Sequence, residues 1–237
     1  GFGDLLQFAR YLPLLRRRGA RVVLECRPPL RPLLEGWVGA NALVAPGEAV
    51  AADLFVPLMS LPGRLGAGYE SGMFYLPLPP PACWPAHIED SGRRVGLVWT
   101  GRQTAGNERR SCPPSALAPL LAVPGMRFHS LQVGADGNAV EAMGMRDLGR
   151  YIRNFRDLAG LMMQMDVVLT IDSAPAHLGG GMGLPVWTML PWGADWRWLD
   201  GREDSPWYPG MRLFRQPRPG DWAAVVEAVA GALRDMP

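Results

Sequence analysis

Between residues 167 and 190 the chain reads VVLTIDSAPAHLGGGMGLPVWTML: an apolar run, a polar break at Asp172 and Ser173, a small-residue stretch holding one histidine, and a second apolar run. Both apolar runs are too short for a buried helix and suit strands covered on both faces. The segment between them has proline near its start and glycines toward its end, and predicts a helix from about Ala174. Strand, helix and strand in that order call for a parallel pair joined by a crossover. The alternation extends both ways. RVGLVWTG, SALAPLLAV, MRFHSLQ and DLAGLMMQM read as strand, helix, strand and helix, and after MRLFRQ the amphipathic stretch GDWAAVVEAVAGALRDM reads as a last helix.

The first part of the chain repeats the theme more weakly. LLQFARYLPLLRRRG predicts a helix with basic residues in its last turn, RVVLEC a strand, RPPLRPLLEGW a short helix and ADLFVPLMSL a second strand. The proline-rich and charged stretch LPLPPPACWPAHIEDSGRR, residues 76 to 94, has the composition of a junction between domains. The expected fold class is therefore α/β, with parallel sheets in two units, residues 1–90 and 91–237. No repeat of fixed period is visible.

Composition removes several function classes. All 24 basic residues are arginine, so a Walker-type phosphate loop, a pyridoxal phosphate Schiff base and a lysine nucleophile are excluded, and phosphate recognition falls to arginine forks. A net charge of +2 gives no electrostatic case for nucleic acid as a partner. Cys26, Cys83 and Cys112 are odd in number and form no CxxC pair, which predicts neither a disulfide framework nor a zinc site and fits a reducing cytoplasm. Neither a secretory signal nor an apolar run long enough for a transmembrane segment is evident. His87 and His129 lack partners at ligand spacing, and no Gly-x-Ser-x-Gly elbow occurs.

In an open parallel sheet, ligands bind beyond the carboxyl ends of the strands, where helix N-termini point unpaired amides into a crevice. Asp172 and Ser173 stand at such an end, and the amides from Ala174 onward could hold a phosphate, with His177 one turn further in. Each residue has a plainer reading. Ser173 could be an ordinary helix cap, the glycines could serve close packing, and a lone histidine is often structural. Their coincidence at one strand end raises the functional reading.

GFGDLLQFARYLP, GLVWTG, DVVLTIDSAPAHLGGGMGLPVWTMLPWGADWRWL and DSPWYPGMRLFRQPRPGDW together resemble bacterial glycosyltransferase domains related to the lipopolysaccharide heptosyltransferases, of the family 9-like kind often fused to tetratricopeptide repeats. The resemblance extends over nearly the whole chain. It implies a GT-B architecture: an N-terminal acceptor-side Rossmann-like domain, residues 1–90, apparently lacking its first strand, facing a C-terminal nucleotide-sugar-binding domain, residues 91–237. It also implies an enzyme transferring a hexosyl, heptosyl or related sugar without a cofactor or metal. The implied partners are a nucleotide-sugar donor and a saccharide or protein acceptor, with tetratricopeptide repeats upstream in a parent chain. The implied location is cytoplasmic, free or peripheral to the inner membrane.

Residue by residue, GFGD is similar to a GxGD loop. Asp4 inherits the role of general base, with helix capping as its plainer alternative, and Gly1 and Gly3 give the acceptor-side loop its close approach. The donor side would be held by Asp172, Ser173, Ala174 and His177, with Gly101 admitting a second loop. Arg109 and Arg110 are phosphate candidates, although arginines in a polar loop are more often simply solvated. Gln132 sits where a base or ribose contact would fall. The segment GRQTAGNERRS departs from the family pattern: Ala105 stands where relatives carry histidine, and Glu108 is the acidic residue. A degenerate, non-catalytic nucleotide-binding or protein-interaction module of the same fold is the competing expectation. A Rossmann oxidoreductase is disfavoured because no complete GxGxxG follows a strand. Trp192, Trp196, Trp198 and Trp207 read as a packed aromatic cluster more readily than as a sugar platform.

Overall fold

The structure is a computed structural model and describes residues 1–68, 74–101 and 108–236. Its first sheet pairs β1 (Val23–Glu25) in parallel with β2 (Ala42–Val44), Leu24 lying opposite Leu43. The second sheet contains β3 (Arg93–Val98), β4 (Met126–Ser130), β5 (Arg146–Asp147), β6 (Val167–Ile171), β7 (Val186–Leu190) and β8 (Met211–Arg215). Its order is β5-β4-β3-β6-β7-β8, and every pair is parallel. The chain starts in the middle, at β3, steps outward through β4 and β5, then returns to the other side of β3 with β6 and steps outward again. The direction reverses between β3 and β6, and that reversal is the topological switch point.

The first part of the chain also holds short helices: α1 (Phe2–Phe8), α2 (Leu12–Arg17), α3 (Arg31–Leu34) and α4 (Leu61–Leu65). The second sheet is flanked by α5 (Ala118–Leu121), α6 (Gly137–Ala142), α7 (Phe155–Met162), α8 (Ala174–Met182) and α9 (Trp222–Arg234). Helix α9 buries Trp222, Val225, Val226, Val229, Ala230 and Leu233, an apolar stripe at helical spacing. Every residue of β6 is buried, because helices cover both faces of the sheet. One apolar cluster packs β3, β6 and β7 residues such as Leu97, Leu169 and Met189 against α9. The other runs through both sheets, joining Leu6, Leu24 and Leu34 to Leu178 and Leu213.

Two sequence expectations are corrected. The helix expected from Leu5 through Arg18 is divided by a 3-10 turn, Ala9–Tyr11. Pro13 cannot donate to the carbonyl four residues back, so the α-helical ladder breaks there and restarts. The strand expected in ADLFVPLMSL is absent: residues 51–57 have no regular structure, and Leu54 and Phe55 are 85% and 87% exposed. Pro57 lacks a ladder donor, and Leu58–Ser60 turns instead into α4. The strand beside β1 is β2, whose three residues are too few to carry a period. Cys26, Cys83 and Cys112 are free thiols. Among the described residues no helix is long and apolar enough to cross a membrane.

Candidate functional site

The carboxyl ends of β3 and β6 meet at the switch point, where Val98 is paired with Thr170. Beyond β6, Ser173 adopts extended angles (φ −155°, ψ 174°) as the residue preceding α8. Its hydroxyl donates back to the Ile171 carbonyl at 3.2 Å and lies 3.2 Å from Thr170 Oγ1, so it does not cap the helix. Helices α6, α7 and α9, by contrast, are capped by Asp136, Asn154 and Asp221. The N-terminus of α8 thus keeps its amide dipoles uncapped, with Ala174 partly exposed and Pro175 where a missing N–H costs little.

Charged groups converge on this point. Asp172 is buried, and its Oδ2 has no hydrogen bond; it faces Arg110 Nη1 at 3.4 Å. Burial raises its pKa, opposed by Arg110 and by the nearby Trp198 indole, and the balance stays above the ordinary carboxylate value. Arg110 also faces Asp195 Oδ2 at 3.9 Å. Asp195 accepts from Arg197 Nη1 at 2.8 Å, and Arg197 Nη2 donates to Asp4 Oδ1 at 2.5 Å. An alternating series of carboxylates and guanidiniums therefore runs from the end of β6 to α1, on the other half of the chain.

Asp4, in the first turn of α1, also meets the Gly1 amino group at 2.7 Å through Oδ2. Burial pushes its pKa up, and Arg197 and His177 act in the opposite direction. His177 lies one turn into α8, buried, with Nδ1 2.9 Å from the Tyr208 hydroxyl and its ring stacked on Trp198. Burial, with Arg197 and Arg10 adding to it against Asp4, presses its pKa down to about 3, so the ring is neutral near pH 7. A Cβ on Gly3 would stand 2.9 Å from His177 Cδ2, so glycine is what lets α1 sit directly on α8.

The remaining predicted residues lie around this centre in varied roles. Gly101 donates its amide to Ser111 Oγ at 3.2 Å. Gln132 accepts from the amides of Trp99 and Thr100 at 3.2 and 2.9 Å, using its carbonyl to hold the end of β3. Arg109 is exposed and Glu108 lies beside it in a 3-10 turn, whereas Ala105 falls outside the described residues. The three consecutive glycines of α8 serve close packing: added Cβ atoms would meet Val186 at Gly179, the Tyr208 ring at Gly180 and Leu76 at Gly181. The tryptophans divide: Trp198 and Trp207 are buried, while Trp192 and Trp196 are 53% and 55% exposed.

Sequence reasoning missed Arg197, Asp195 and Tyr208. Arg197 lies inside the DWRW segment that carried the resemblance, but nothing in one sequence separates it from 23 other arginines. Among the described residues, no cluster of three or more His, Cys, Asp or Glu side chains could hold a metal ion.

The two parallel sheets, the switch point and the closing C-terminal helix define a GT-B fold. Two solved structures share it. The glycosyl transferase family 9 structure from Veillonella parvula aligns over 100% of this chain and 87% of its own, with a TM-score of 0.64 at 11% identity. E. coli ADP-heptose LPS heptosyltransferase II aligns over 98% of this chain and 96% of its own, with a TM-score of 0.57 at 15% identity. In sequence, the chain is 30% identical to Protein FlbA of Caulobacter vibrioides over 99% of its length, and spans 41% of that relative. No protein-family profile matches the chain.

Proposed function

We propose that the chain is a glycosyltransferase domain that moves a hexosyl, heptosyl or related sugar from a nucleotide-activated donor to a saccharide or protein acceptor, without a metal ion and with inversion. Residues 1–90 form the acceptor side and residues 91–237 the donor side. The observation that carries this reading is the uncapped N-terminus of α8 at the switch point, flanked by Arg110 and linked through Asp195 and Arg197 to Asp4.

As the bond to the anomeric carbon breaks, negative charge collects on the departing diphosphate. The α8 amides and Arg110 would stabilise it. The acceptor hydroxyl must lose a proton as it attacks, and ionised Asp4 would take it. One solved neighbour is described as an ADP-heptose transferase, which makes an ADP-linked sugar the first donor to test. A cytoplasmic place, at the inner membrane where the acceptor is lipid-linked, suits the three free thiols.

A second reading, binding without turnover, draws on the pairing of Asp4 with Arg197 and the enclosure of His177. Thermal-shift titration with ADP, UDP, GDP and CMP, followed by a transfer assay with the matching nucleotide sugar, separates the two. A ligand held only by the native state at 100 times its Kd adds about 2.7 kcal/mol. Stabilisation with transfer supports the enzyme, and stabilisation without transfer supports the binding module. No stabilisation by any nucleotide removes both.

A further inference from the structure

We propose that Arg197 is the positioning residue of this site, one guanidinium that fixes the place of Asp4; this rests on the reading of Asp4 as the base. Its three nitrogens serve three acceptors, two on α1 and one in its own turn. Nε donates to Gln7 Oε1 at 2.7 Å, Nη1 to Asp195 Oδ1 at 2.8 Å and Nη2 to Asp4 Oδ1 at 2.5 Å. Only a planar fork meets all three at once. A lysine ammonium carries the charge but is a single point that cannot span them.

The surroundings hold the fork in place. Arg197 is 9% exposed, its guanidinium lies 4.8 Å from the Trp196 ring centre and 5.9 Å from that of Phe8, and its carbonyl accepts from the Trp207 indole at 2.7 Å. Asp195 also accepts from the Arg197 amide at 3.1 Å, bending the chain into the 3-10 turn Trp196–Trp198. Leu199 then takes a positive φ of 52°, a backbone angle that a branched side chain adopts only under constraint. The local fold accepts that strain while turning Arg197 inward.

The consequence is a base that is tethered at one oxygen. The charged side chains facing Asp4 are Arg197 and, when protonated, His177. Arg197 favours the carboxylate and holds one oxygen, leaving the orientation of the other set by α1. Asp195 competes for the same guanidinium, so it tunes how strongly Asp4 is held.

The test is a carbon NMR titration of the Asp4 carboxyl, assigned by Asp4→Asn, in the full chain from about pH 7 down to about pH 2, spanning the ordinary aspartate value of about 3.9 on both sides. Arg197→Gln is expected to raise the proton affinity of Asp4 at least tenfold, and Arg197→Lys to restore most of the difference. Asp195→Asn is expected to move it the opposite way, which keeps the test decisive should Arg197→Gln not fold. With a donor in hand, the acid limb of the rate profile moves upward in Arg197→Gln, and Arg197→Lys keeps the parental limb while kcat falls about tenfold or more. An Asp4 signal unchanged in the Arg197 and Asp195 variants overturns the inference. A shifted signal in a chain that transfers no sugar supports the pairing and removes the enzymatic reading instead.

Discussion

The imidazole of His177 lies against the indole of Trp198, ring centroids 5.3 Å apart and planes at 18°, inside the seam between α1 and α8. A neutral, enclosed ring has a consequence for acid stability. With a native pKa of about 3, set first by burial, His177 binds its proton more readily in the unfolded chain, where the value is about 6.5. Its contribution is fully present above about pH 6.5 and is lost as the pH falls toward 3. His177→Phe keeps a flat ring on Trp198 and removes the titration. Its melting temperature is expected to vary less between pH 6.5 and 4 than that of the parent, and an equally steep decline would contradict the buried, neutral ring.

Asp172 has the opposite sign. Burial raises its pKa, so the native state holds the proton longer than the unfolded chain, and the contribution of Asp172 is fully present below about pH 4 and is lost as pH rises through the native value. Its partner Arg110 is partly exposed and leaves little uncompensated charge when freed. Asp172→Asn is therefore expected to gain melting temperature at pH 7 to 8 and to match the parent near pH 4. Calorimetry at the two ends checks this.

Gly180→Ala places a methyl group into the Tyr208 ring, and Gly3→Ala places one against His177. Overpacking of this kind costs about 1–3 kcal/mol. Both variants are expected to lower the urea midpoint, with Gly3→Ala also reducing any transfer because it lifts α1, and with it Asp4, off α8.

Gln132→Leu deprives the amides of Trp99 and Thr100 of their acceptor. The expected loss is about 1–3 kcal/mol in denaturant unfolding. Nucleotide affinity measured below the unfolding range should hold if the side chain serves β3. A selective loss of affinity at unchanged stability would mark a base or ribose contact instead.

Asp4→Asn keeps the shape of the side chain and removes its proton affinity. Nucleotide binding is expected to survive, while transfer falls about 10²–10⁴-fold. Equal turnover would eliminate Asp4 as the base.

The sequence alone determined the parallel second sheet. Its central strands β6 and β7 are apolar runs and α9 has a clear apolar stripe, signals local enough to survive without tertiary context, whereas the two-residue β5, Arg146–Asp147, and α6 carry no such signal. It also marked Asp172 and Ser173 at a strand end. The first half was less legible because its elements are three to seven residues long and interrupted by proline, so period and length could not tell strand from loop in ADLFVPLMSL. Tertiary structure decided that Ser173 leaves α8 uncapped, that Gln132 holds backbone and that His177 is sealed against Trp198. It also brought Arg197 to Asp4 across 193 positions. Such pairings arise when distant segments pack and exclude water, and a linear pattern carries no term for that distance.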